Sequence, residues 1–125
     1  MKTKKNFITK KLKIVLSVGD ELGIGPEIIL KALSSKEIRR DIDILIVGSR
    51  QILENTYINL KSLGIKDIVD PNQYQIYDLN IPLDNLNSKL IHGNASFEYL
   101  KKAIAIVKNN PNSALVTGPI CKKSW

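Results

Sequence analysis

The sequence predicts an α/β fold with a mostly parallel sheet and helices on both faces, on three observations. Short aliphatic runs, Lys13 to Val18, Ile42 to Val47 and Ser113 to Thr117, alternate with segments of helical period. The second run is nearly continuous in β-branched and aliphatic residues, as expected of a strand covered on both faces. Glycine turns follow the first and last runs, at the sheet edge where open α/β folds hold ligands.

Taken in order, Lys13 to Val18 is the first strand, and the turn Gly19 to Gly25 leads into a helix that opens on Pro26. Proline suits a first helical position because its missing N–H would have had no helical partner. Ile28, Ile29, Ala32 and Leu33 are the expected buried stripe of this helix. After the second strand, Gly48-Ser49 ends the run and a helix is expected from Arg50 to Leu63, with Leu53, Tyr57 and Leu60 on one face. Gly64 is placed to close it with a left-handed cap. Ile65 to Val69 is read as a third strand, and Gln75 to Leu79 as a further strand candidate within the irregular stretch Pro71 to Leu90. Phe97, Leu100, Ile104 and Val107 then recur at helical spacing, with Asn94 or Ser96 as the capping residue and Asn109-Asn110-Pro111 as the stop. Ser113 to Thr117 closes the series.

The 125 residues suffice for one modest domain, and 43% hydrophobic with 25% charged residues is ordinary for a globular chain. No apolar run approaches the roughly 18 residues of a membrane helix. The net charge of +7 is concentrated in Lys2, Lys4, Lys5, Lys10, Lys11 and Lys13. The expected organisation is therefore a basic disordered leader over residues 1–12 and a nearly neutral partial α/β domain over 13–125. Such a leader lacks the interleaved aromatics of a nucleic-acid surface, so neither a nucleic-acid nor a membrane partner is expected. It also lacks the apolar segment of a secretion signal, which makes the cytoplasm the expected location. Cys121, the single cysteine, excludes an internal disulfide and any site built from several thiolates.

Two segments could carry chemistry. The first is Gly19-Asp20-Glu21-Leu22-Gly23-Ile24-Gly25-Pro26-Glu27, where glycines permit close approach of backbone to a ligand. Asp20, Glu21 and Glu27 would oppose a phosphate electrostatically, and neither G-x-G-x-x-G nor G-x-x-x-x-G-K-[ST] occurs. The second is Thr117-Gly118-Pro119-Ile120-Cys121-Lys122, where Thr117 could bond a ligand oxygen and Lys122 could pair with a phosphate or carboxylate. In a parallel sheet both segments emerge at the same edge. His92, the single histidine, lies before Gly93 and reads as a loop residue. The candidate ligand-edge residues are Asp20, Gly23, Gly25, Thr117 and Lys122.

The turn ending in Gly23-Ile24-Gly25-Pro26-Glu27-Ile28, the segment Gly93-Asn94-Ala95-Ser96-Phe97-Glu98-Tyr99-Leu100, and Ala114-Leu115-Val116-Thr117-Gly118-Pro119-Ile120 followed by Lys122 occur here in one register. Together they resemble the 4-hydroxythreonine-4-phosphate dehydrogenase family, over nearly all of the chain after the leader. The family usually has Pro-Ala where this chain has Glu21-Leu22, which adds a negative charge to the turn. Isocitrate and isopropylmalate dehydrogenases carry a shorter relative of the first signature, so the resemblance implies an incomplete isocitrate/isopropylmalate dehydrogenase-like fold.

It also implies a reaction: NAD-dependent oxidation of the secondary alcohol of 4-phosphooxy-L-threonine, a small-molecule substrate, followed by decarboxylation, in vitamin B6 synthesis. A divalent metal held by histidines would polarise the reacting oxygens, and the family works as a homodimer. The resemblance places those histidines beyond the segment matching Thr117 to Lys122. The expectation is a truncated dehydrogenase that is inactive alone, binds neither NAD nor metal tightly, and depends on a missing C-terminal polypeptide. The alternative is a freestanding α/β module that binds a ligand or partner without catalysis.

Overall fold

A computed structural model describes residues 12–38, 41–79 and 88–120 of the chain. Leu12–Ser17 form β1, Gly25–Ala32 form α1, Ile42–Gly48 form β2 and Arg50–Ser62 form α2. A 3-10 turn over Pro71–Gln73 leads into β3, Gln75–Asp78; α3 spans Ser88–Lys108 and β4 spans Ser113–Thr117. Residues 1–11 of the expected leader, the turn residues Pro82, Asp84, Asn85 and Asn87, and both Cys121 and Lys122 lie outside the described residues, while Leu12, assigned to the leader, opens β1.

All strand pairs are parallel and the order is β3-β2-β1-β4, the architecture the alternation predicts. Residues paired across parallel strands point to the same face, and neighbours within a strand to opposite faces. Val15, Ser17, Val47, Tyr77, Leu115 and Thr117 therefore share one face of the sheet. Lys102 of α3 places its Nζ 4.8 Å from the centre of the Tyr77 ring, which puts α3 on that face. Helices α1 and α2 pack against each other on the opposite face, where Leu33 borders a cleft with Ile42 and Ile44. The return from β3 to β4 by way of α3 crosses over β2 and β1, and so encloses the sheet centre between two helical layers.

The core follows from this sandwich. Val15, Ile46, Val47, Leu30 and Leu53 are completely enclosed, and each contributes roughly 1.5–3 kcal/mol by leaving water. Helix α2 buries Leu53 and Leu60 with Tyr57 half-buried beside them, as its spacing predicts. Ser49 caps its start by accepting from the Ile52 amide at 3.3 Å. Its end is a Schellman closure: Gly64 adopts φ +81°, its amide reaches Lys61 O, and the Ile65 amide reaches Leu60 O at 3.1 Å.

Three expectations are corrected. Helix α1 buries Pro26, Ile29, Leu30 and Leu33, leaving Ile28 and Ala32 outside. The stripe is set by the i, i+3, i+4, i+7 row that begins at Pro26, which is pinned where the turn meets β1. Ile65 to Val69 is not a strand: Val69 donates to Leu30 O at the end of α1 and Ile68 plugs the core, so this segment closes the α1 layer and the adjacent ladder is taken by β3. Helix α3 begins at Ser88, so neither Asn94 nor Ser96 caps it. Its buried side is Ala95, Ser96, Tyr99 and Ala103, while Phe97 and Ile104 are 43% and 39% exposed. Ala95 and Ala103, eight residues apart on either side of the buried Tyr99, let the helix backbone settle close to the sheet at both places, and larger aliphatic side chains there would hold it away.

Candidate functional site

The two predicted loops meet at the C-terminal edge of β1 and β4. Past the last ladder pairs, the Gly118 amide donates to Ser17 O at 2.8 Å and the Val18 amide to Val47 O at 3.1 Å, so β1 stays tied on both sides up to the turn. Gly19 then takes φ +79°, and a Cβ there would stand 2.5 Å from Pro119 O. That crowding reflects the contact that joins the loops, a 2.8 Å hydrogen bond from the Asp20 amide to Pro119 O. Only glycine offers both the left-handed dihedral and the room.

Within the turn, Asp20 is a scaffold as well as a surface group. Its Oδ1 accepts from the Leu22 amide at 3.0 Å and its carbonyl from the Gly23 amide at 3.1 Å. Gly23 is exposed beside it, where a Cβ would stand 3.4 Å from Asp20 Oδ2, while Gly25 is buried against the carbonyl of Val18. Thr117 is exposed at the end of β4, where its hydroxyl donates to Gly118 O at 3.0 Å. The structure thus brings Asp20, Gly23, Gly25 and Thr117 to one edge. Lys122 lies outside the described residues; His92, expected in a loop, falls within α3, and the surroundings of its side chain are outside the described residues.

Sequence reasoning missed the internal anchor of this edge. Glu21, read as an added negative charge in the turn, is 7% exposed and accepts a short hydrogen bond from the hydroxyl of Tyr99, which is fully buried in α3. Burial, then the bond to Glu21 and the charges of Glu21 and Asp78, push the Tyr99 hydroxyl well above its ordinary range, so it remains a donor. The Glu21 carboxylate therefore ties the turn to α3. The available signal was the two-residue offset of Tyr99 from the Phe97 stripe, which reads as chance until α3 is seen to bury its Ala95 side.

A polar cleft of about 470 Å³ lies on the other flank of the turn, lined by Glu21, Gly23, Glu27, Asn55 and Thr56 among others. Glu27 in this cleft is paired with Lys31 at 2.8 Å. The lining is short of cationic donors and disfavours an anion held there by the turn alone.

These contacts allow a test of which groups the edge can hold. A pyrophosphate cradle needs outward backbone amides. The Asp20, Leu22 and Gly23 amides are each committed within the fold and are not available for that role. For a cation, the nearby carboxylates are also engaged: Asp20 with the Leu22 amide, Glu21 with Tyr99, and Asp78 with the Arg50 amide at 3.2 Å. Among the described residues no group of three or more His, Cys, Asp or Glu side chains is placed to hold a metal ion. No described helix is long and apolar enough to cross a membrane.

A doubly covered parallel sheet with two turns clasped at its C-terminal edge defines the class as an α/β domain of dehydrogenase-like type. More narrowly, residues 40–125 match the family model for the pyridoxal phosphate biosynthetic protein PdxA, and the chain belongs to that family. It is 37% identical to a 4-hydroxythreonine-4-phosphate dehydrogenase from Synechococcus sp. (strain JA-3-3Ab), over 90% of this chain and 34% of the relative. It is 34% identical to a Fusobacterium nucleatum relative named for a D-threonate 4-phosphate dehydrogenase activity, over 90% of this chain and 37% of that one. Its fold is shared with a crystal structure of a 4-hydroxythreonine-4-phosphate dehydrogenase from Burkholderia phymatum, with a TM-score of 0.71 at 23% identity, over 92% of this chain and 38% of that chain. The chain thus spans about a third of the length of the relatives it matches.

Proposed function

We propose that this chain supplies one wall of the cleft of an NAD-dependent dehydrogenase acting in the cytoplasm on a four-carbon hydroxy acid that bears a 4-phosphate, with 4-phosphooxy-L-threonine as the first choice of substrate. The observation that carries the reading is the clasp between the two family signatures, the Asp20 amide on Pro119 O, which presents Asp20, Gly23, Gly25 and Thr117 on one edge.

The residues of this chain would orient rather than react. Thr117 offers a hydroxyl to a substrate oxygen, and Asp20, held by the Leu22 and Gly23 amides, presents its second carboxylate oxygen to a substrate hydroxyl or amine. NAD would supply the hydride acceptor and a divalent metal the Lewis acid, and among the described residues no group of three or more His, Cys, Asp or Glu side chains is placed to hold that metal. Turnover in this reading needs the histidines that the resemblance places in the rest of the family fold.

The test is direct. Purified chain is mixed with NAD, Mg²⁺ or Zn²⁺, and either 4-phosphooxy-L-threonine or D-threonate 4-phosphate, and reduced NAD is followed by absorbance. The expected result is no turnover by this chain alone; sustained turnover would refute the division of labour. Co-expression with the complementary portion of the Synechococcus relative should yield metal-dependent NAD reduction, and Thr117→Ala should then lower kcat/KM by about tenfold, the weight of one hydrogen bond.

A further inference from the structure

The stripe that sequence periodicity assigns to the core is the one that α3 turns away from it. Phe97 and Ile104 stand 43% and 39% exposed, with Leu100 half-buried between them. On the same face of the sheet, Leu115 of β4 is 37% exposed. The opposite face of β4 is also bare, with Val116 at 46% exposure. Among the described residues β4 pairs with β1 alone, and none of them occupies its outer backbone edge. Isolated exposed aliphatics need no explanation, but here several occur together on α3 and on both faces of the strand at the sheet edge. An open, aliphatic edge strand invites pairing, and folded proteins ordinarily cover such an edge.

The strip also says what covers it. The match extends over nine-tenths of this chain and only about a third of each relative, so most of the family fold lies outside the matched region. Charge does not defend the edge: the exposed run Ala114-Leu115-Val116-Thr117 carries none, and the lysines nearby, Lys101 and Lys102, lie over the Phe97 and Tyr77 rings. Elements that continue a parallel sheet on its open side bring a strand to the edge and a crossover helix to a face.

We propose that Phe97, Leu100, Ile104, Leu115 and Val116 form the docking surface for the remaining two-thirds of the PdxA fold, with a strand added at β4 and a helix seated across Phe97, Ile104 and Leu115. The surface accepts that part whether it is carried on the same polypeptide or on another. This deepens the proposed function, since the covering part is where the missing catalytic groups would reside.

The full chain is co-expressed with the portion of the Synechococcus relative that it does not match, and the purified material is sized by light scattering and mapped by hydrogen exchange. A one-to-one complex with slowed exchange at Ala114 to Thr117 is expected. Leu115→Lys and Ile104→Lys, both at exposed positions, should each lower the recovered complex by about tenfold or more while the circular dichroism of the single chain is unchanged. A complex indifferent to both substitutions, or no complex when both parts are folded by circular dichroism, overturns the proposal. So does a homodimer of this chain that the same substitutions dissolve, because the strip then serves a second copy. Docking is scored without substrate, so a stable complex that fails to reduce NAD would refute the proposed function and leave this surface standing.

Discussion

Replacing Tyr99 by phenylalanine removes a single oxygen from the interior and leaves the ring in place. The hydroxyl lost is the one that donates to Glu21, whose side chain is nearly enclosed at the base of the glycine turn. A hydrogen bond to an ionised partner contributes about 1.5–3 kcal/mol, and a buried carboxylate deprived of a donor is penalised on a similar scale. For a domain of this size the fall in melting temperature is roughly 4 °C per kcal/mol, so about 6–12 °C is expected. Urea unfolding at pH 7 should show a lower midpoint with an unchanged slope, and a cycle with Glu21→Gln should return a coupling of at least about 1 kcal/mol. The pH dependence has a definite sign. Burial and Glu21 raise the folded-state pKa of Tyr99 above its ordinary value of about 10, so its contribution is complete below that pH and is lost as pH climbs through the folded value. The stability gap between the wild-type chain and Tyr99→Phe should therefore be constant near neutrality and shrink only above about pH 10. A Tyr99→Phe chain within about 0.5 kcal/mol of the parent would show that the turn is not anchored through α3.

Two glycines with the same dihedral should respond differently to alanine. Gly64 faces open space, so Gly64→Ala should cost only the roughly 1–2 kcal/mol of a left-handed alanine, whereas Gly19→Ala must also displace Pro119 O and should exceed about 3 kcal/mol by urea unfolding. Equal losses would show that the loop clasp yields freely. Ser17 and Ser96 place hydroxyls in the interior without a hydrogen-bond partner among the described residues. Ser96→Ala should be neutral or stabilising by up to about 1 kcal/mol, since it removes a desolvated oxygen and improves helix propensity. A loss above about 1 kcal/mol would reveal a partner such as a buried water.

Much of the fold was legible because its elements obey local rules. β2 is aliphatic because both its faces are covered, and α2 follows its period from the Ser49 cap to the Gly64 closure. The joining of the two loops at one edge was also readable, since a parallel sheet permits little else. The errors share a cause, because periodicity reports which side chains are apolar without reporting which apolar side faces this sheet. Phe97 and Ile104 make a more hydrophobic stripe than Ala95 and Ala103, yet close approach of α3 favours the smaller side. Ile65 to Val69 has strand composition, but the ladder beside β2 was taken by Gln75–Asp78. At the candidate site, Asp20, Gly23, Gly25 and Thr117 fell where expected, whereas the inward turn of Glu21 depended on Tyr99, a partner 78 residues away. No local pattern encodes such a pair.

Val18 is the point on which the edge converges. Gly25 and Gly118 sit against its carbonyl from opposite sides, and Gly48 against its side chain, so three separated parts of the chain are held to hydrogen in place of a side chain by one residue. Drift at these positions is therefore correlated. A larger residue at 48 becomes tolerable only if Val18 shrinks, but the same remedy does nothing for 25 or 118, where the obstacle is main chain. Homologous variation at this edge should accordingly be permissive at one glycine and closed at the other two.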